Sequence, residues 1–141
     1  MSKDEGLIIR LSKREVDWLI KAAQKSYPLE ICGALFGLIN SDGRILIKKV
    51  VILSNILNSS VAFQIDPEEF LAELMRSENE GLRHVGFFHS HPGSATPSDI
   101  DVKFMRLWPE SIWLIISLIN YEIAAYRIVN SEVRNVHVEI I

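Results

Sequence analysis

A single cysteine, Cys32, occurs among 141 residues. No intrachain disulfide can form, and that usage fits a reducing cytoplasm. Basic charge is not in excess either: the formal net charge is -3 at pH 7. That argues against a protein whose main work is gripping nucleic acid, which usually needs a basic face. The longest apolar run, Ile112 to Ile119, contains Ser117 and is too short to span a bilayer, so it reads as a buried strand. The opening Met1-Ser2-Lys3-Asp4-Glu5-Gly6 is polar, with no visible secretory leader. Repeats, low-complexity segments and Pro/Gly/Ser-rich linkers are missing. The expectation is one domain over residues 1–141, cytoplasmic, with no nucleic-acid or membrane partner.

Hydrophobic residues make up 48% and charged residues 23%, enough to build a core. Leu7 to Leu11 is a short strand candidate. Ser12 with Glu15 forms a capping-box signature, and Val16, Leu19, Ile20 and Ala23 follow at the spacing of one helical face. Ile31 to Ile39 and Arg44 to Leu53 read as a hairpin about the Ser41-Asp42-Gly43 turn. Asp66-Pro67 opens a second helix running to about Ser77. Arg83 to His91 is a strand stopped by Pro92-Gly93, and a third helix runs from Ser98 to about Leu107. Two or three antiparallel strands follow, with turns near Asn120-Tyr121 and Asn130-Ser131. The order β-α-β-β-α-β-α-β-β-β predicts a mixed α/β (α+β) domain, one mixed sheet flanked by helices.

The informative stretch runs from His89 to Asp101. Residues two apart on a strand share a face, so His89 and His91 project side by side while Ser90 points away. Pro92 ends the strand, and a helix opened by Ser98 can return Asp101 to the histidines. Two histidines and a carboxylate, with one position left open, make a catalytic zinc shell. Zinc suits this nitrogen and oxygen set better than magnesium or calcium, with iron and manganese as alternatives. Each piece alone has a structural explanation: His-X-His pairs occur on strands without metal, and Ser98 with Asp101 resembles a capping box. Their combination in one short stretch favours metal, and Ser98 and Asp101 can cap a helix and serve the site together.

Hydrolysis at such a centre needs a group that moves a proton. Glu30 stands at the entrance of an otherwise apolar strand, where it is either this base or a solvated edge residue. His84, placed by strand parity on the face opposite His89, and His137, in the last strand, have no second ligand candidate at useful spacing. Cys32 reads as a small core residue.

These residues resemble the JAMM, or MPN-plus, metalloproteases. The signature of that family is an upstream glutamate, a His-Ser/Thr-His-Pro run, and a serine and an aspartate separated by two residues. Here they are Glu30, followed by Cys32-Gly33, then His89-Ser90-His91-Pro92, then Ser98 and Asp101. The interval from His91 to Ser98 is one residue shorter than usual, which makes Asp99 the alternative third ligand. The resemblance implies a cytidine-deaminase-like mixed sheet and one zinc per chain held by His89, His91 and Asp101. It also implies Glu30 as general base and later acid, and Ser98 as a donor to the developing oxyanion.

The resemblance further implies cleavage after the C-terminal glycine of a ubiquitin-like β-grasp protein, with the substrate tail extended beside a strand. The loop from Pro92 to Pro97, with Gly93, Ser94 and Ala95, offers a low-bulk floor for a Gly-Gly tail. Two alternatives use the same framework: release of cysteine or another small adduct from a β-grasp sulfur-carrier protein, and a noncatalytic MPN scaffold, against which the full ligand set argues. Nucleotide deamination is discarded, because the His-X-Glu and Pro-Cys-X-X-Cys pattern is absent. A homodimer is left open.

Overall fold

The computed structural model describes residues 2–57 and 64–141, so Met1 of the polar opening run lies outside the described residues. β1 (Ser2–Leu11) leads into α1 (Lys13–Ser26). The Ser12 hydroxyl accepts the Glu15 N–H at 3.0 Å, and the Glu15 carboxylate accepts the Ser12 N–H at 2.9 Å. This is the reciprocal box that the spacing predicts. Val16, Leu19 and Ala23 form the buried face of α1.

β2 (Cys32–Ile39) and β3 (Arg44–Leu53) form the expected hairpin. α2 (Pro67–Asn79) is capped by the Asp66 carboxylate and starts on proline. β4 (Arg83–His91) and α3 (Asp99–Leu107) come next, then β5 (Ile112–Ser117), β6 (Ile123–Val129) and β7 (Glu132–Ile140). Asn130 and Ser131 take positive φ values of 51° and 66° at the turn from β6 to β7. Left-handed residues at both positions match the twist of a tight hairpin.

The fold is the expected mixed α/β arrangement, with the strands in the order β1-β3-β2-β4-β5-β6-β7, and the sheet closes into a barrel. β1 closes it by running parallel to both β3 and β7. The partners of β1 are distant in sequence, so periodicity could not show this closure. β1 also begins at Ser2 rather than Leu7, because Ser2 to Asp4 pair with Arg134 to Val136 of β7. Among the described residues no helix is long and apolar enough to cross a membrane.

β4 lies between β2, antiparallel, and β5, parallel. The face of Leu35, Phe88 and Leu114 packs with Val16, Leu19 and Ala23 of α1. The other face, with Cys32, Phe36, Phe87 and Trp113, packs with Met105 of α3 and Phe70 of α2. A bulge interrupts the ladder: Leu35 pairs with Gly86, but Phe36 pairs with His84, skipping Val85.

The extra residue reverses the parity of everything before it. His84 therefore stands on the side of Phe87, not opposite His89 as uninterrupted alternation predicts. Its ring meets Phe87 edge-on at 4.7 Å between centroids and Phe70 at 5.1 Å. Its Nε2–H donates to the Gly86 carbonyl at 2.9 Å. A Cβ on Gly86 would lie 1.8 Å from the Ile112 carbonyl oxygen, so β4 and β5 can approach here only because the residue is glycine.

Candidate active site

The candidate site lies at the end of the β4 face that carries Phe87. His89 and His91 project to one side, with ring centroids 5.7 Å apart. His89 is fully buried and His91 half-buried. Cys32 of β2 pairs with His89, and Ile115 of β5 flanks it on the other side, so this imidazole is held in the middle of a three-strand ladder.

Asp101 reaches the same place from the first turn of α3. Its Oδ2 lies 3.2 Å from His89 Nε2 and 3.5 Å from His91 Nε2. One ligand atom from each of the three residues falls within 4.8 Å of the others, a grouping that could hold a metal ion. The structure brings Asp101, not Asp99, to the histidines; Asp99 is exposed. Ser98 caps α3: its hydroxyl accepts the Asp101 N–H at 3.1 Å, and Asp101 Oδ2 accepts the Ser98 N–H at 2.8 Å. The helix cap and the candidate ligand are thus one carboxylate.

The loop between β4 and α3 is tied down by its own carbonyls. Ser117 Oγ donates to the Gly93 carbonyl at 2.7 Å, and the Tyr126 hydroxyl donates to the Ala95 carbonyl at 2.6 Å. The Leu118 N–H donates to the His91 carbonyl at 3.0 Å. His91 Nδ1 donates to the Ser94 carbonyl, also at 3.0 Å. A carbonyl can only accept, so Nδ1 carries a proton, and Nε2 faces Asp101, the outer-shell orientation typical of ligating histidines.

Ala95 is buried in the core beside Met105 and Trp113, because Tyr126 pulls its carbonyl inward. It cannot form part of a groove floor, which leaves Gly93 and Ser94 in that place. Periodicity and motif spacing missed Tyr126 and the tying role of Ser117. The only signal for Ser117 was that it is the one polar residue in an apolar strand.

Glu30 precedes β2 and is only 5% exposed, which rules out the solvated-edge alternative. The β2–β4 register ends at Cys32 with His89; two residues further on, Glu30 comes opposite His91. Its Oε1 is buried, with no hydrogen-bond partner among the described residues. Burial pushes the carboxyl up to about 7; nearby His91 opposes that shift and Asp101 adds to it. Asp101 moves the other way. Burial works against its charge, but hydrogen bonds from His89 and His91 and from the Ser98 backbone outweigh it, holding the carboxyl well below the usual range. The Asp101 contact in turn raises the His91 imidazole above its ordinary value. Two carboxyl groups near one histidine pair are thus driven apart, one held ionised and one titrating near neutrality, a division characteristic of acid–base sites. Burial pushes the Cys32 thiol up to about 12, and it is inert packing.

The family described as prokaryotic homologs of the JAB domain matches residues 12–129. The chain belongs to this family. The resemblance read from Glu30, His89, His91, Ser98 and Asp101 is to the same group. A desampylase from Pyrococcus furiosus is 45% identical over 93 residues, 65% of this chain and 62% of that protein. A desampylase from Haloferax volcanii is 37% identical over 91 residues, 64% and 63% of the two chains. A probable TtuB-protein conjugate cleaving protease from Thermus thermophilus is 39% identical over 66 residues, 45% of each. The matched part therefore spans less than two thirds of the length of these relatives. Among solved structures, that of a Desulfitobacterium hafniense protein superposes with a TM-score of 0.84 at 28% identity, covering 94% of this chain and 92% of the other.

Proposed function

We propose that this protein of the JAB group is a zinc-dependent isopeptidase that cleaves after the C-terminal Gly-Gly of ubiquitin-like modifiers. The observation that carries the reading is the convergence of His89 Nε2, His91 Nε2 and Asp101 Oδ2 at the end of β4, beside a buried Glu30. Two relatives are named desampylases and a third a protein-conjugate cleaving protease, and those names support it.

The donor set fits zinc: two imidazole nitrogens and a carboxylate, with an outer shell that fixes the ring of His91. When bound there, zinc supplies Lewis acidity toward a carbonyl and brings the pKa of water down to about 7. The chain's own groups do the rest. Glu30, poised near neutrality, takes a proton from the attacking water and returns it to the departing amine nitrogen. The Ser98 hydroxyl, which accepts from the Asp101 N–H, keeps its own proton to donate to the oxyanion as charge develops there. Gly93 and Ser94 present little bulk beside His91, which suits a Gly-Gly tail.

The test is incubation with a lysine conjugate of a β-grasp modifier ending in Gly-Gly, with and without a chelator. A matched conjugate whose last glycine is replaced by a bulky residue runs alongside. Cleavage of the first alone, lost with chelator and restored by zinc, is expected. Release of cysteine from a carrier adduct with every conjugate left intact would move the activity to the small-adduct reaction.

A further inference from the structure

Ser90 lies between the two histidines in sequence, yet its side chain points away from them and is fully buried. The β2–β4 register makes Ile31 its partner across the ladder, one position beyond Cys32 and His89. A regular antiparallel pair of this kind exchanges two backbone bonds. Here only one is of that form: the Ser90 N–H donates to the Ile31 carbonyl at 3.0 Å. The return bond is not to the Ser90 carbonyl. The Ile31 N–H donates instead to the Ser90 hydroxyl at 2.9 Å.

The entry to β2 is therefore held by a side chain, offset from the plain ladder, immediately after Glu30. On the other side Asn55 Nδ2 donates to the Glu30 carbonyl at 3.3 Å. The Glu30 backbone is gripped from both flanks, while its Oε1 has no hydrogen bond among the described residues.

We propose that Ser90 is a positioning residue: its hydroxyl, by accepting the Ile31 N–H, sets the place of the Glu30 carboxyl relative to His91 and Asp101. The consequence for turnover rests on the isopeptidase reading above; the anchoring itself does not. Misplacing a catalytic group by about 1 Å costs on the order of a hundredfold in rate. Loss of the hydroxyl is therefore expected to lower kcat by roughly ten- to hundredfold, with little change in KM, because Ser90 does not face the substrate side.

Ser90→Thr and Ser90→Val form the decisive pair, since both add nearly the same bulk and only one keeps a hydroxyl. Ser90→Ala serves as the cavity control. Zinc content, thermal stability, kcat and KM on a Gly-Gly conjugate, and hydrogen exchange of the Ile31 amide are measured on each. The expected result is wild-type zinc content in all three, an Ile31 amide that stays protected in the Thr variant and exchanges faster in the Val variant, and kcat higher in Thr than in Val by the stated factor. Equal Ile31 protection in Thr and Val variants, or equal kcat, would overturn the proposal. A wild-type protein that cleaves no conjugate overturns the isopeptidase reading, and that failure is seen before any variant is made.

Discussion

His89 and Asp101 meet at 3.2 Å through Nε2 and Oδ2, and that same oxygen accepts the Ser98 N–H at 2.8 Å. The start of α3 and the histidine face of β4 are thereby joined at a single atom. The carboxylate is held ionised by its neighbours, which suits it to a cation.

Metal content follows directly. Purified protein is expected to carry about one zinc per chain, completing a three-ligand catalytic shell. His89→Ala, His91→Ala and Asp101→Ala should each lose most of it, whereas Asp99→Ala should not, because Asp99 is exposed and outside the group. Elemental analysis of the four variants decides. Full zinc in Asp101→Ala would move the third ligand elsewhere.

Replacing Glu30 by glutamine keeps the shape and removes the proposed base. Zinc should stay, and kcat should drop by roughly a hundredfold to ten-thousandfold, the usual range for a general base. Turnover near the wild-type level in Glu30→Gln would take this residue out of the mechanism.

The same substitution should leave a pH signature on stability. Burial raises Glu30 in the folded state from 4.5 to about 7. Between those values the folded chain holds a proton that the unfolded chain releases, so stability from this group is full below about 4.5 and is lost as pH rises through about 7. Metal-free Glu30→Gln is therefore expected to melt higher than metal-free wild type at pH 8, with the gap closing toward pH 5. Thermal melts in chelator across that range read it. A variant no more stable than wild type at pH 8 would show that the buried carboxylate is solvated or paired.

Ser98→Ala separates capping from chemistry. Loss of an N-cap costs roughly 1 kcal/mol of stability, whereas loss of an oxyanion donor costs roughly 2.7–4 kcal/mol in the barrier. The expected outcome is a small fall in melting temperature with a rate loss on the order of a hundredfold or more. Activity retained below a lowered melting point would assign Ser98 to the helix alone.

Much of this was legible in the chain because local rules act through short spacings. Ser12 with Glu15, Asp66 before Pro67, and Ser98 with Asp101 announce helix starts by side-chain chemistry that needs no tertiary partner. The pairing of His89 with His91 needs only strand alternation. What escaped depended on distant partners. The placement of His84 reversed because one unpaired residue, Val85, shifted the parity of β4. The polar start of β1 became strand because β7 was there to pair with it. Ala95 turned inward because Tyr126, thirty-one residues on, captures its carbonyl. Glu30 read equally well as a base or an edge charge, since its burial depends on the elements packed around the entry to β2.

The closed ring of strands bears on how the folded protein behaves in concentrated solution. A sheet with open flanks can template the growth of aggregates, and a barrel has none to offer. One exception among the described residues is β3 beyond Leu46, because β1 pairs with it only from Arg44 to Leu46. That flank carries exposed Lys48, and Lys49 tied at 3.1 Å and 3.0 Å to Glu73 and Glu80. Charged lysines on a strand flank discourage edge-to-edge docking. Detachment of β1 would open the ring and expose the flanks of β3 and β7 at once.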